Sequence, residues 1–488
     1  MTEYRGSEKS SPALFCCWAL LFIGFLPALI LQSIDTRFGA ALAVQCVVVA
    51  HTGGGLTRVL AGGSVRLVAC GFWLFAYVWL GLAPMAMLAT DSYPLPYRTG
   101  ETTALAAATL TELGLLAYSA GAALAAGRQS GRSVVLEPLL SRRLAPLPVL
   151  LLCGLSLVLA IVLIPGHEGG LRAFFASRQA LRQSGAEADH AHALRVWALA
   201  VPAFWAMVAL IHLPRLTPGD RLLRAIRWML LPLLVALNVI VNNPISRPRF
   251  WAGTVLLVLL FSWCRFNTLR TFRIVATGLT TAVLFAFPYS DYFRYDEREV
   301  VEVTALAEQF TTNMDYDAFQ QMHTGIDYVQ ENGFSPSAAL GPVLFMVPRS
   351  MWPEKPQTTG IELAQYAGYD FHNLSAPLWI ESYLWGGAPC VVAVFCLLGA
   401  ASRRTDDIRE RLRDRQGTLA VLLIPAFAFY QLILLRGSLM AIIGPLLLLL
   451  IVPLVITTRR AGVSRPPSPF RSPVATGHVP IPGHRRHP

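Results

Sequence analysis

The sequence predicts an all-α polytopic membrane protein of about twelve transmembrane helices, with a large external loop of short amphipathic helices. Composition is the first ground. Of 488 residues, 54% are hydrophobic and 14% charged, with a mean hydropathy of +0.51; a soluble domain carries about a quarter charged. Length is the second. Apolar runs such as 145–165 and 378–400 reach the roughly 20 residues that cross a bilayer. The third is the recurrence of arginine between alternate runs.

In chain order the spans read 13–32, 38–57, 66–89, 103–126, 145–165, 195–213, 222–241, 250–264, 272–289, 378–400, 418–435 and 438–457. "HTGGG" at 51–55 weakens the second, and the eighth is short for a full crossing. The first run lacks a small-residue cleavage site, so it reads as a span rather than a removed signal. Residues 1–12 carry Arg5 and Lys9 and are placed in the cytoplasm. Every even-numbered connection is then cytoplasmic, and each is basic. They hold Arg58 and Arg66, then Arg128, Arg132, Arg142 and Arg143, then Arg215, Arg221, Arg224 and Arg227, then Arg265, Arg270 and Arg273, then "SRRTDDIRERLRDR" at 402–415. Residues 458–488, opening with Arg459 and Arg460, are rich in Pro, Ser and Arg and are expected to be a disordered cytoplasmic tail. The membrane domain is 13–457, with both termini inside.

The net charge of +11 falls where topology wants it and does not call for nucleic acid. Of eight cysteines, Cys46, Cys70, Cys153, Cys390 and Cys396 lie in apolar runs and none forms a CxxC, so neither disulfide nor zinc is expected. There is no GxxxxGK[ST], GxGxxG or HExxH, which argues against an ATP-driven pump and against a metal site.

Outward arginines break the positive-inside pattern. In "GGLRAFFASRQALRQSG" at 169–185, a helical reading puts Arg178 and Arg182 on the side of Leu171, Phe174, Phe175 and Leu181, either as an interfacial lipid anchor or as a site for an anionic lipid. "NNPISRPRFW" at 242–251 delivers Arg247 and Arg249 from a tight turn stiffened by Pro248. Guanidinium forks bind phosphate bidentately; snorkelling to headgroups is the alternative.

The long loop 290–377 opens with Asp291, Tyr292, Arg294 and Tyr295. An amphipathic helix follows at 315–333, with Phe319, Met322 and Ile326 as its stripe. There His323 and Asp327 are spaced to pair, as a base and its orienting carboxylate or as a solvated ion pair. Asp315 and Asp317 form a "DYD" that matches the metal-binding DxD of some glycosyltransferases, a pattern short enough to arise by chance. "FMVPRSMWPEKPQTTG" at 345–360 offers Arg349, Lys355 and Trp352 on a backbone that its prolines keep from regular helix. Glu381 lies at the outer mouth of the tenth span, where a carboxylate is costly unless paired or functional. Glu112 in the fourth span is similarly out of place, and is expected to pair with an arginine or to serve packing. Arg436 ends the eleventh span.

A dozen spans, the "NNPISRPRF" turn and a long loop ending in "PRSMWPEKP…G" resemble the bacterial O-antigen and exopolysaccharide repeat-unit polymerases. The resemblance covers roughly residues 13–457. It implies a glycosyltransferase class C-like fold with an outward cavity. It implies transfer of a growing undecaprenyl-diphosphate-linked glycan onto a lipid-linked repeat unit. Arg178, Arg182, Arg247, Arg249, Arg294, Arg349, Lys355 and Arg436 would then face diphosphate and glycan, and Trp352 would stack a sugar. His323, Asp315, Asp317, Asp291 and Glu381 are the candidates for the base. A lipid-linked donor needs no nucleotide and no other cofactor. The partners implied are the lipid-linked oligosaccharide, membrane lipids, and the flippase and chain-length regulator of the same pathway. An O-antigen ligase, a transferase using polyprenyl-phosphate sugars, and a non-enzymatic flippase are the competing readings.

Overall fold

The computed structural model describes residues 12–127, 133–166, 170–176, 190–213, 221–264, 268–287, 289, 304–371 and 374–458. Among these, ten helices are long and apolar enough to cross a membrane. They are α1 (Pro12–Gln32), α2 (Ala40–Ala61), α3 (Leu67–Thr90), α4 (Glu101–Ala126), α5 (Pro146–Leu163), α6 (Arg195–His212), α7 (Arg224–Val241), α9 (Leu269–Ala286), α13 (Leu378–Leu412) and α14 (Leu419–Arg436). Two shorter apolar helices complete the set, α8 (Arg249–Cys264) and α15 (Leu439–Val455). The ten fall where apolar runs predict them, and the two shorter helices occupy the eighth and twelfth runs, α8 being as short as its sequence.

α3 is the most enclosed, with 94% of its apolar window buried. Proline breaks its hydrogen-bond ladder: Pro84 has no N–H, and its ring displaces the carbonyl four residues back, leaving a π-turn at Ala76–Leu82. In lipid such a carbonyl needs another donor. Gln45 Nε2 of α2 supplies it, 2.7 Å from the Leu80 oxygen and 2.8 Å from that of Gly81. The same device recurs at Leu20–Phe25 ahead of Pro27, where the Tyr77 hydroxyl donates to the Phe22 carbonyl at 2.7 Å.

α4 and α13 form the closest seam. A Cβ on Gly121 would overlap the Cys396 carbonyl, one on Gly399 the Tyr118 carbonyl, and one on Gly114 the Trp379 indole. Small residues let backbones meet where hydrocarbon offers no hydrophobic drive. α13 is broken at Gly386 and Gly387, the latter at φ 71°.

The connections gather into two sets. On the arginine-rich face, Arg273 donates to the Leu60 and Gly62 carbonyls. There Asp406 caps α3 through the Val68 and Ala69 amides, both at 3.0 Å, and β1 (Arg143–Leu144) pairs antiparallel with β2 (Thr457–Thr458). On the opposite face lie the 91–100 loop, the 242–249 turn, the long loop and the α14–α15 corner.

Within the long loop are α10 (Leu306–Thr312), α11 (Ala318–Asn332) and α12 (Thr359–Tyr366). α11 departs from the surface helix expected. Phe319, Met322 and Ile326 are buried, but so are Gln320, Gln321, His323 and Thr324. The 91–100 loop covers the polar side: Gln320 exchanges hydrogen bonds with the Leu95 backbone and donates to the Tyr97 carbonyl.

Candidate functional site

The site grows from two turns. In "NNPISRPRFW", Asn242 is tied to the bundle, donating to the Ala200 carbonyl and accepting from Trp251 Nε1 at 2.8 Å. Asn243 closes the turn by accepting from the Ile245 and Ser246 amides, the usual behaviour of an Asn side chain before such a turn. These bonds decide the fates of the two arginines. Arg247 is 7% exposed, donates Nε to the Val241 carbonyl at 2.7 Å and lies over the Phe174 ring. Desolvation pushes its pKa down to about 10. It is a brace of the turn, not an open phosphate ligand as the sequence suggests. Arg249, two residues on at the head of α8, turns the other way. Its guanidinium sits over the Phe287 ring at 5.2 Å and meets the Asp315 carboxylate at 2.5 Å.

The second turn is Asn313–Asp317. Asn313 Oδ1 accepts from the Asp315 amide at 2.9 Å and so caps a short 3₁₀ turn. The Asp315 carbonyl accepts from Trp79 Nε1 of α3 (2.9 Å) and from Arg436 Nε (3.1 Å). Arg436, from the last turn of α14, also reaches the Met314 carbonyl and Asp317 Oδ1 at 3.0 Å, and lies 3.9 Å from Asp315 Oδ1. The other Asp317 oxygen accepts from the Ser375 amide at 3.1 Å. Two guanidiniums from separate helices thus converge on one carboxylate. Their side chains are only 8% and 19% exposed, and partial burial strengthens such interactions. Both aspartates of "DYD" are engaged by arginines rather than presented as a pair to a metal.

Glu381 lies 2% exposed below this cluster. It accepts from the Ser438 hydroxyl at 3.0 Å and, through both oxygens, from the Leu439 amide that opens α15. A helix N-terminus stabilises a carboxylate without a partner cation.

His323 and Asp327 do not pair. Asp327 accepts from the Tyr97 and Thr103 hydroxyls, and His323 Nδ1 meets Thr99 Oγ1 at 3.0 Å. The 91–100 segment, unseen by a reading of α11 alone, outcompetes the local pair. The ring is 1% exposed, packed on Tyr93 and Phe319. Burial pushes its pKa down to about 3, so His323 is neutral at physiological pH. The unfolded chain takes up that proton near 6.5, so the stability held by neutral His323 is complete above that pH and declines as pH falls toward 3. Between pH 6.5 and 5 the melting temperature of the wild type should fall more steeply than that of His323→Gln. Parallel slopes would remove this account.

The proline-rich segment holds itself and leans on α15. Arg349 donates to the Lys355 and Pro356 carbonyls. Lys355 donates to those of Phe345 and Val347, its pKa drawn down by desolvation and by Arg349. Phe345 faces Gly444, and Gly341 faces Met440. Trp352 is half-buried and its amide closes on the Pro348 carbonyl. Arg349 and Lys355 are therefore engaged as loop staples, and the segment stands beside α15. Arg178, Arg182, Asp291 and Arg294 lie outside the described residues.

Glu112 pairs not with an arginine but with His51 of "HTGGG", Oε1 to Nδ1 at 2.8 Å, while His51 Nε2 meets Ser119 at 3.2 Å. Nothing in the sequence links residues 61 apart. No family model, no curated protein and no solved structure matches the chain.

Proposed function

We propose that the chain is a glycosyltransferase of the class C type that polymerises undecaprenyl-diphosphate-linked oligosaccharide repeat units at the outer face of the cytoplasmic membrane, with polyprenyl diphosphate as leaving group. One observation carries the reading: Arg249 and Arg436, from separate helices, converge on a single anion on the face opposite the basic connections. The positive-inside rule makes that face the outward one. A departing diphosphate needs cations held in advance at headgroup depth, where they stabilise charge as it develops. The Asp315–Asp317 turn and Glu381 supply carboxylates to accept the proton of an acceptor hydroxyl. His323, enclosed and weakly basic, suits that role least. Tyr93, Tyr97 and Trp352 offer rings to sugars.

Membranes containing the protein, given lipid-linked repeat units, should yield a ladder of repeat numbers. Arg249→Ala should lower its rate by about a hundredfold or more, the scale of losing one preorganised donor. A full-length ladder from that variant would overturn the site. A single addition would point to ligase or phosphate-sugar transferase chemistry.

The His51–Glu112 pair favours a second reading, since ionisable pairs inside a span mark proton and substrate pathways. A flippase of lipid-linked oligosaccharide would use it. Loss of the gene product should then strand repeat units on the inner leaflet, whereas a polymerase leaves translocated units unpolymerised.

A further inference from the structure

Among the described residues Asp315 is the one anion that both arginines share, and its surroundings separate backbone from side chain. The backbone is fixed. Its amide is held by Asn313, and its carbonyl by Trp79 and by Arg436 Nε. Arg436 is itself anchored without the Asp315 carboxylate, through the Met314 carbonyl and Asp317 Oδ1. The carboxylate has fewer aligned hydrogen bonds. Its Oδ1 stands 3.9 Å from Arg436 Nη2. Its Oδ2, although 2.5 Å from Arg249 Nη2, is buried without an aligned hydrogen-bond donor. Rotation about the side chain alone would withdraw it while the Asp315 backbone and Arg436 keep their anchors. Asp317 is different: it takes an aligned Arg436 N–H on one oxygen and the Ser375 amide on the other.

We propose that the Asp315 carboxylate is a built-in competitor that occupies the anion seat of Arg249 and Arg436 when no phosphate is bound and is displaced by the diphosphate of an incoming ligand. This rests on the reading of those arginines as the diphosphate seat. It assigns the two neighbouring aspartates opposite roles. Asp317 holds Arg436 in position, and Asp315 lowers the affinity of the seat, which lets a spent diphosphate leave. An ordinary structural salt bridge makes the contrary prediction, that neutralising Asp315 loosens Arg249 and gains nothing.

The test uses the full chain in lipid nanodiscs, titrated calorimetrically at low ionic strength with inorganic pyrophosphate and, separately, with farnesyl diphosphate. Asp315→Asn should bind both about tenfold more tightly than the wild type, the scale of losing one competing charge-assisted contact. Asp317→Asn should bind them more weakly than the wild type. Arg249→Gln added to Asp315→Asn should abolish the gain. The wild type gives a second reading that needs no variant: pyrophosphate should raise carbodiimide-driven amine labelling of Asp315, read by peptide mass spectrometry.

Wild-type binding that Asp315→Asn leaves unchanged or weakens, with no rise in labelling, overturns the competitor role while the proposed function stands. Absence of pyrophosphate and farnesyl diphosphate binding in both proteins overturns the seat itself. Preference for farnesyl diphosphate over pyrophosphate assigns the seat to a lipid headgroup, and equal affinity to free diphosphate.

Discussion

Arg436→Ala should abolish the polymer ladder and destabilise the protein together. The side chain holds the Asp315 and Met314 carbonyls and the Asp317 carboxylate. Asp317 is only 2% exposed, so removing its cation strands a buried charge, at a cost of about 3–5 kcal/mol. The catalytic loss should be about a hundredfold or more if the guanidinium also faces the leaving group. The two effects separate in a double variant. Arg436→Ala with Asp317→Asn should regain most of the melting temperature, because a neutral amide oxygen still accepts from Ser375, and should regain none of the activity. Recovery of both would make Arg436 a purely structural residue. Arg436→Lys should be stable yet poorly active, since a point charge cannot span two partners as a planar fork does.

Gly399→Leu should be strongly damaging although far from the site. Its new side chain would meet the Tyr118 backbone carbonyl, which cannot yield without moving α4 away from α13. The penalty should reach about 3 kcal/mol, the upper end for overpacking a core. It would be read as a lowered melting temperature and poor recovery from detergent. Gly154→Leu is the control: nothing lies within 4 Å of that position, so stability should hold. Equal losses at the two positions would refute the account of the seam.

The helices were legible in the sequence because a bilayer imposes a length and a polarity that single runs of residues must meet. The site was legible only as an inventory. Arg249, Arg436, Asp315, Asp317 and Glu381 are all visible as charges at the ends of apolar runs. Nothing in the chain pairs Arg249 with Asp315, 66 positions apart. Arg247 and Arg249 look equivalent in sequence, and Asn242 and Asn243 decide which one braces the turn and which reaches the cluster. The spacing of His323 and Asp327 is a sound local argument, defeated by a segment more than 200 residues earlier. Trp79, Ser375 and Thr99 carried no signal, because a tryptophan in a span or a hydroxyl in a loop has many uses.

The exchange of donors among α1, α2 and α3 bears on how the protein enters the membrane. The carbonyls of Leu80 and Gly81 find their donor on Gln45, and that of Phe22 on Tyr77. A bare carbonyl in hydrocarbon costs several kcal/mol, and so does a glutamine amide without an acceptor. Neither α2 nor α3 is therefore well suited to lipid alone, while the three helices together are. Biogenesis should release them from the insertion machinery as one preassembled unit, around which the later helices are laid.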